Sequence, residues 1–193
     1  DGNVDDGCGV CGGDNSTCDS PEMFVFEQSS EQAFYYFETA TIDLELLDSD
    51  DWVGAFKGNI CVGARKWDVS LCGGSVCDVP VMGEANLDLE PWTEGYMLPG
   101  EIPSFKIFDS SESTYYSAIP SDNNAWQNME IFIVNNLNVV PDCNDDLGGS
   151  AELDECGVCD GPGAIYECGC SEIDEGACDC DGNELDECGE CGG

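Results

Sequence analysis

The chain of 193 residues carries 42 Asp and Glu against 4 Lys and Arg, with no His, for a formal charge of -38. Such a chain cannot neutralise nucleic-acid phosphates, is repelled by anionic membrane surfaces, and lacks the imidazole on which serine and cysteine triads and most zinc hydrolase sites depend; enzymatic activity is not expected. Fifteen cysteines point to an oxidising, extracellular compartment, and 41% hydrophobic content is enough to build a core of domain size.

In chain order, residues 1–20 open with a Cys-Gly-Asp segment. Asp1, Asn3, Asp5, Asp6 and Asp14 crowd around Cys8, Cys11 and Cys18. The start at Asp1-Gly2 reads as an excerpt of something longer, with no signal peptide and no run of about twenty apolar residues to cross a bilayer. The opening Asp1-x-Asn3-x-Asp5-Asp6-Gly7 departs from an EF-hand, because its Gly comes one residue late and Gly12 stands where a bidentate Glu belongs. Gly7-x-Gly9-x-x-Gly12 satisfies a dinucleotide fingerprint only formally, since no strand precedes it and no helix pattern comes after it. Asn15-Ser16-Thr17 is the one glycosylation sequon.

Residues 21–140 hold 17 of the 18 aromatics and all four basic residues, which is what a core with a mixed surface needs. Alternation with a period of two predicts strands over 23–26, 33–37, 41–46, 52–56, 60–64, 104–107, 115–118 and 129–133, separated by breakers such as Leu98-Pro99-Gly100. Eight short strands predict an all-β, antiparallel immunoglobulin-like β-sandwich. Asp48, Asp50 and Asp51 form an acidic loop, read as a solvated turn with calcium as the alternative. Trp67, Trp92, Trp126, Tyr115 and Tyr116 are read as core, with stacking on sugar rings as the alternative. Cys72 and Cys77 bracket a short loop that their sulfurs can close. Cys61 is left over, as a buried thiol or a bridge to a neighbouring subunit.

Residues 141–193 return to Cys, Gly and Asp, with 17 acidic residues and no Lys or Arg. Residues 181–193 repeat residues 1–13 at nine of thirteen positions, and a third copy runs over 153–161. A chain that begins and ends in one phase of a motif reads as one 180-residue period of a tandem array. Both flanks are predicted to be irregular linkers that cannot bury a core and need another source of order. Disulfides are expected at Cys143, Cys156, Cys159, Cys168, Cys170, Cys178, Cys180, Cys188 and Cys191, as at Cys8, Cys11 and Cys18; the alternative of zinc at the Cys-x-x-Cys pairs is disfavoured by surrounding carboxylates, which raise thiol pKa values. Asp142, Asp145, Asp154, Asp174, Asp179, Asp181, Asn183 and Asp186, with the acidic residues of the first flank, are the expected calcium ligands, because a hard cation offsets the repulsion of closely spaced carboxylates. An acidic, merely solvated linker is the alternative.

Cys8-Gly9-Val10-Cys11-Gly12-Gly13-Asp14-Asn15-Ser16-Thr17-Cys18 resembles the segment closing the cysteine-rich region of thrombospondin-motif metalloproteinases. The Asp-Gly-Asn-x-x-Asp-x-Cys pattern is similar to thrombospondin type 3 calcium repeats, and linkers of this kind resemble those recurring in long secreted bacterial surface proteins, often marine. The stretches Asp51-Trp52-Val53-Gly54-Ala55-Phe56 and Pro103-Ser104-Phe105-Lys106-Ile107-Phe108-Asp109 look like a β domain found beside such linkers. The resemblance implies a structural module of an extracellular filament, stalk or adhesin that binds calcium and assembles head to tail with copies of itself. The rival expectation is a carbohydrate-binding accessory domain of a secreted hydrolase, with surface glycans as partners.

Overall fold

The structure, a computed structural model, describes residues 20–73, 76–165 and 168–192. The chain divides into two units, with the border between Val140 and Pro141. Expected site residues Asp1, Asn3, Asp5, Asp6, Asp14, Cys8, Cys11 and Cys18, and the Asn15 sequon, lie outside the described residues.

The first unit is all-β. Its strands are β1 Gln32–Ile42, β2 Glu45–Leu46, β3 Trp52–Lys57, β4 Ile60–Lys66, β5 Cys77–Met82, β6 Ser104–Asp109, β7 Thr114–Pro120 and β8 Ile131–Val139. They form one curled sheet in the order β2-β1-β8-β7-β6-β3-β4, with β5 also paired to β1. The curl is carried by β7, whose first half pairs with β6 through 114–118 and whose end pairs with β8 through Ile119 and Pro120. It brings β1 to face β6 across the core: the ring of Phe105 lies 5.6 Å from Tyr35 and 5.1 Å from Phe37. Alternate residues of β1, Ala33, Tyr35 and Phe37, point into that core with Val79 and Val81 of β5, Ile107 of β6, and Val134 and Leu137 of β8. β3 is buried on both faces, because a separate cluster of Phe24, Trp52, Phe56 and Cys61 covers its other side.

Four features depart from the sequence reading. The stretch 41–46 is not one strand but a hairpin: Asp43 and Leu44 take φ of 47° and 70°, and β2 folds back on β1 with Ile42 opposite Glu45. Two successive residues at positive φ make the tight turn whose twist matches flanking strands, usually signalled by Asn-Gly. The stretch 23–26 begins with a 3-10 turn, Glu22–Phe24, that seats Phe24 on β3. β1 and β8 run parallel, so the sheet is not wholly antiparallel. β5 has no sequence signal because Pro80 interrupts it; that strand bonds β1 on one side. On the other side the Pro80 carbonyl lies so close to Gly63 of β4 that a Cβ there would sit 1.6 Å from its oxygen. Arg65 of β4 closes the same gap, donating from Nη2 to Asp78 Oδ2 of β5 at 2.9 Å.

Candidate functional site

Among its described residues the second unit has no strand longer than an isolated bridge, and its order comes from a repeated Asp-centred loop. The Asp154 carboxylate accepts the amides of Cys156 and Val158 on Oδ1, at 2.9 and 2.8 Å, and of Gly163 on Oδ2, at 2.9 Å. The Asp154 amide donates to the Val158 carbonyl, the Gly157 amide donates to the Asp154 carbonyl, and Leu153 bridges Cys159. Asp186 repeats this arrangement with the amides of Cys188 and Glu190 at 2.8 and 2.9 Å, and Leu185 bridges Cys191.

Asp142 does the same without the two cysteines, whose places are taken by Asn144 and Leu147. Its carboxylate accepts the amides of Asn144, Asp146 and Ala151 at 2.8 to 3.1 Å, and Pro141 bridges Leu147. A shorter version at Asp179 accepts the amides of Asp181 and Asn183 and the side-chain amide of Asn183 at 2.7 Å. The third residue after each full-loop Asp takes positive φ, which explains Gly157 and Gly189 and leaves Asp145 in that conformation at 66°. Seven residues after the Asp the loop needs a glycine: a Cβ on Gly149 or Gly161 would meet the carboxylate of Asp142 or Asp154 at 2.0 Å.

These bonds favour the anionic form of the loop carboxyls. Each of the four carboxyls is held below the ordinary Asp range, by the amide of Ala151 at Asp142, of Val158 at Asp154 and of Glu190 at Asp186, and by the Asn183 side chain at Asp179. The carboxylates are therefore kept anionic by the backbone they organise.

Four disulfides join the loops: Cys143–Cys159, Cys156–Cys170, Cys168–Cys180 and Cys178–Cys191. Each opens before the previous one closes, so they interlock. In the first unit Cys72 and Cys77 are bonded to each other. Cys188, expected in a disulfide, is an exposed free thiol, while Cys61 is a buried one whose thiol pKa is pushed up to about 11 by burial.

The expected calcium ligands fall into two groups. Asp142, Asp154, Asp179 and Asp186 organise loops; Asp145, Asp181 and Asn183 are loop positions whose own amides are the donors or turn members, and Asp174 caps a turn by accepting the Ala177 amide through its carbonyl. Among the described residues the one cluster with ligand atoms within 4.8 Å is Cys178, Asp179 and Cys191, and its two sulfurs are bonded to each other. With its sulfurs joined, that cluster offers a hard cation one carboxylate, far short of the six to eight oxygens calcium takes.

In the first unit, Asp51 is buried at the rim of a recess of about 350 Å³ that Asp48 and Asp109 also line. Its Oδ2 accepts the Asp48 amide and its Oδ1 the Ser110 amide, at 2.8 and 2.9 Å, and desolvation pushes its carboxyl up. Asp50 pairs with Lys66 at 2.8 Å. Trp67 and Trp126 are buried and Trp92 is half exposed, its indole N–H donating to the Gln28 carbonyl. Tyr115 packs 4.6 Å from Phe108, and the Tyr116 hydroxyl donates to Glu112. These rings do not share one open surface.

What sequence reasoning missed is the Asp142 loop and the glycine seven residues after the Asp of each full loop. The spacing Asp-x6-Gly, at 142/149, 154/161 and 186/193, was available as a signal independent of cysteine. No protein-family model, curated protein or solved structure matches this chain.

Proposed function

We propose that the chain is a structural module of an extracellular filament, stalk or adhesin, without catalytic activity. Residues 21–140 serve as a bead, read as an immunoglobulin-like sandwich, and residues 141–193 as a stiffened linker to the next copy. The observation that carries this reading is the interlocked run of four disulfides over a segment whose described residues bury no apolar core. Cross-links limit the unfolded ensemble of such a segment and turn a tether into a defined spacer. Calcium is the cation assigned to it, because the 17 carboxylates of 141–193 face no basic residue within the segment. Head-to-tail assembly is suggested by the 180-residue phase of the flanking motif.

Electron microscopy of native material is the decisive experiment. Beaded filaments or stalks are expected; isolated particles at every calcium concentration would rule assembly out. A chelator is expected to raise protease sensitivity in 141–193 and leave 21–140 largely resistant. The carbohydrate-binding reading rests on half-exposed Trp92 alone, and loss of glycan binding in Trp92→Ala would favour it.

A further inference from the structure

The disulfide ladder is built from one element with a fixed polarity. In the loop centred on Asp154 the second cysteine, Cys159, bonds backwards to Cys143, and the first, Cys156, bonds forwards to Cys170. The loop centred on Asp186 has the same carboxylate-to-amide bonds and the same bridge, and its second cysteine again bonds backwards, to Cys178. Cys188 occupies the place of Cys156 and presents an exposed thiol. The stagger gives the same answer independently. Cys156 opens just before Cys159 closes, Cys168 just before Cys170, and Cys178 just before Cys180. By that rule a bridge opens at Cys188, just before Cys191 closes.

The continuation of this motif is written elsewhere in the sequence. Residues 1–13 are the same motif, and residues 14–18 then read Asp-Asn-Ser-Thr-Cys, which sets Cys18 ten residues beyond Cys8. Ten residues is shorter than the ladder's own steps of 12 to 16, so this ring would be the smallest of the series. We infer that Cys188 is the opening half of a further disulfide, closed by the cysteine of another copy of the 14–18 segment, on the same polypeptide or on a neighbouring one. This rests on the linker reading above and names the atom through which one linker is tied to the next. Two thiols become one disulfide, and a small disulfide oxidant such as glutathione disulfide takes up the two electrons and two protons and leaves as two thiols.

The test uses the full chain extended after Gly193 by Asp-Asn-Ser-Thr-Cys, folded in a glutathione redox buffer beside the unextended chain. Non-reducing peptide mapping is expected to join the peptide holding Cys188 to the one holding the added cysteine. Iodoacetamide labelling of Cys188 is expected to fall by about tenfold or more against the unextended chain. Cys188→Ser in the extended chain is expected to expose the added cysteine to labelling while Cys178–Cys191 still maps. Free labelling of Cys188 in the extended chain, or the added cysteine bonded elsewhere, overturns the inference. In native material, a Cys188 linkage inside a single band on a non-reducing gel marks the same polypeptide, a series of heavier bands abolished by reduction marks a neighbouring one, and a freely labelled Cys188 overturns the inference. Monomers by microscopy with the bridge formed would remove the assembly reading alone; filaments with a labelled Cys188 would remove this inference alone.

Discussion

The two units solve the same problem with opposite means. In residues 20–140 the chain is ordered by burying apolar side chains, and even polar tips are satisfied inside, as where Trp126 Nε1 donates to the Val81 carbonyl at 2.9 Å. In residues 141–192 there is almost nothing apolar to bury; order comes from sulfur bridges and from carboxylates that stand in for the missing ladder partners of the backbone. The difference teaches that an acidic, glycine-rich sequence need not be loose where its acids are spaced to cap its own amides.

Reduction should separate the units most sharply. The four linker bridges close loops of 12 to 16 residues, and in the chain-entropy description each is worth about 3 kcal/mol. Hydrogen exchange after treatment with a thiol reductant is expected to show 141–192 losing protection entirely while β1, β3 and β8 keep theirs. Comparable loss in both units would mean that the β unit also depends on its disulfide. The converse test is Phe37→Ala, which empties a site packed against Phe105 and Trp67; it is expected to cost about 3–5 kcal/mol in urea unfolding of the β unit and to leave the linker disulfide map unchanged.

A milder perturbation acts on single loops. Asp154→Ala removes the acceptor of three amides, so exchange at Cys156, Val158 and Gly163 should speed up while the Asp142 loop is unaffected. Spread of the effect to the Asp142 loop would show that the bridges couple neighbouring loops. The smallest effect is that of acid. A carboxyl whose folded pKa lies below its unfolded value contributes stability that is complete above the ordinary Asp range and lost as pH falls through the folded pKa. The Asp142, Asp154, Asp179 and Asp186 loops should therefore loosen below about pH 4, read as falling amide protection in the linker. Asp51 is shifted the opposite way, so its protonation relieves a cost of burial, and the β unit should not loosen through that residue over the same range.

Much of the β unit was legible because half-buried strands alternate: Ala33, Tyr35 and Phe37 of β1 and Phe105 and Ile107 of β6 read directly off the chain. Pairing direction was not, since parallel and antiparallel partners impose the same period, and β1 with β8 is parallel. The turn at Asp43 and Leu44 was hidden because Leu44 is not a usual turn former at positive φ and the alternation runs straight through it. In the linker the Cys and Asp pattern was visible, but connectivity was not, because the partners of Cys156 and Cys159 lie in opposite directions at similar distances. The engagement of Asp154 with backbone amides was hidden for a different reason: closely spaced acids suggest a cation before they suggest a cap.

The overlap of the bridges has a topological consequence. Every peptide bond from Cys143 to Cys191 lies inside at least one closed ring, because the next ring begins before the last is complete. A single cut anywhere along that stretch leaves both fragments covalently tethered, and pulling force passes round the break through sulfur. Two nicks within the span of a single bridge are the fewest that can release a piece.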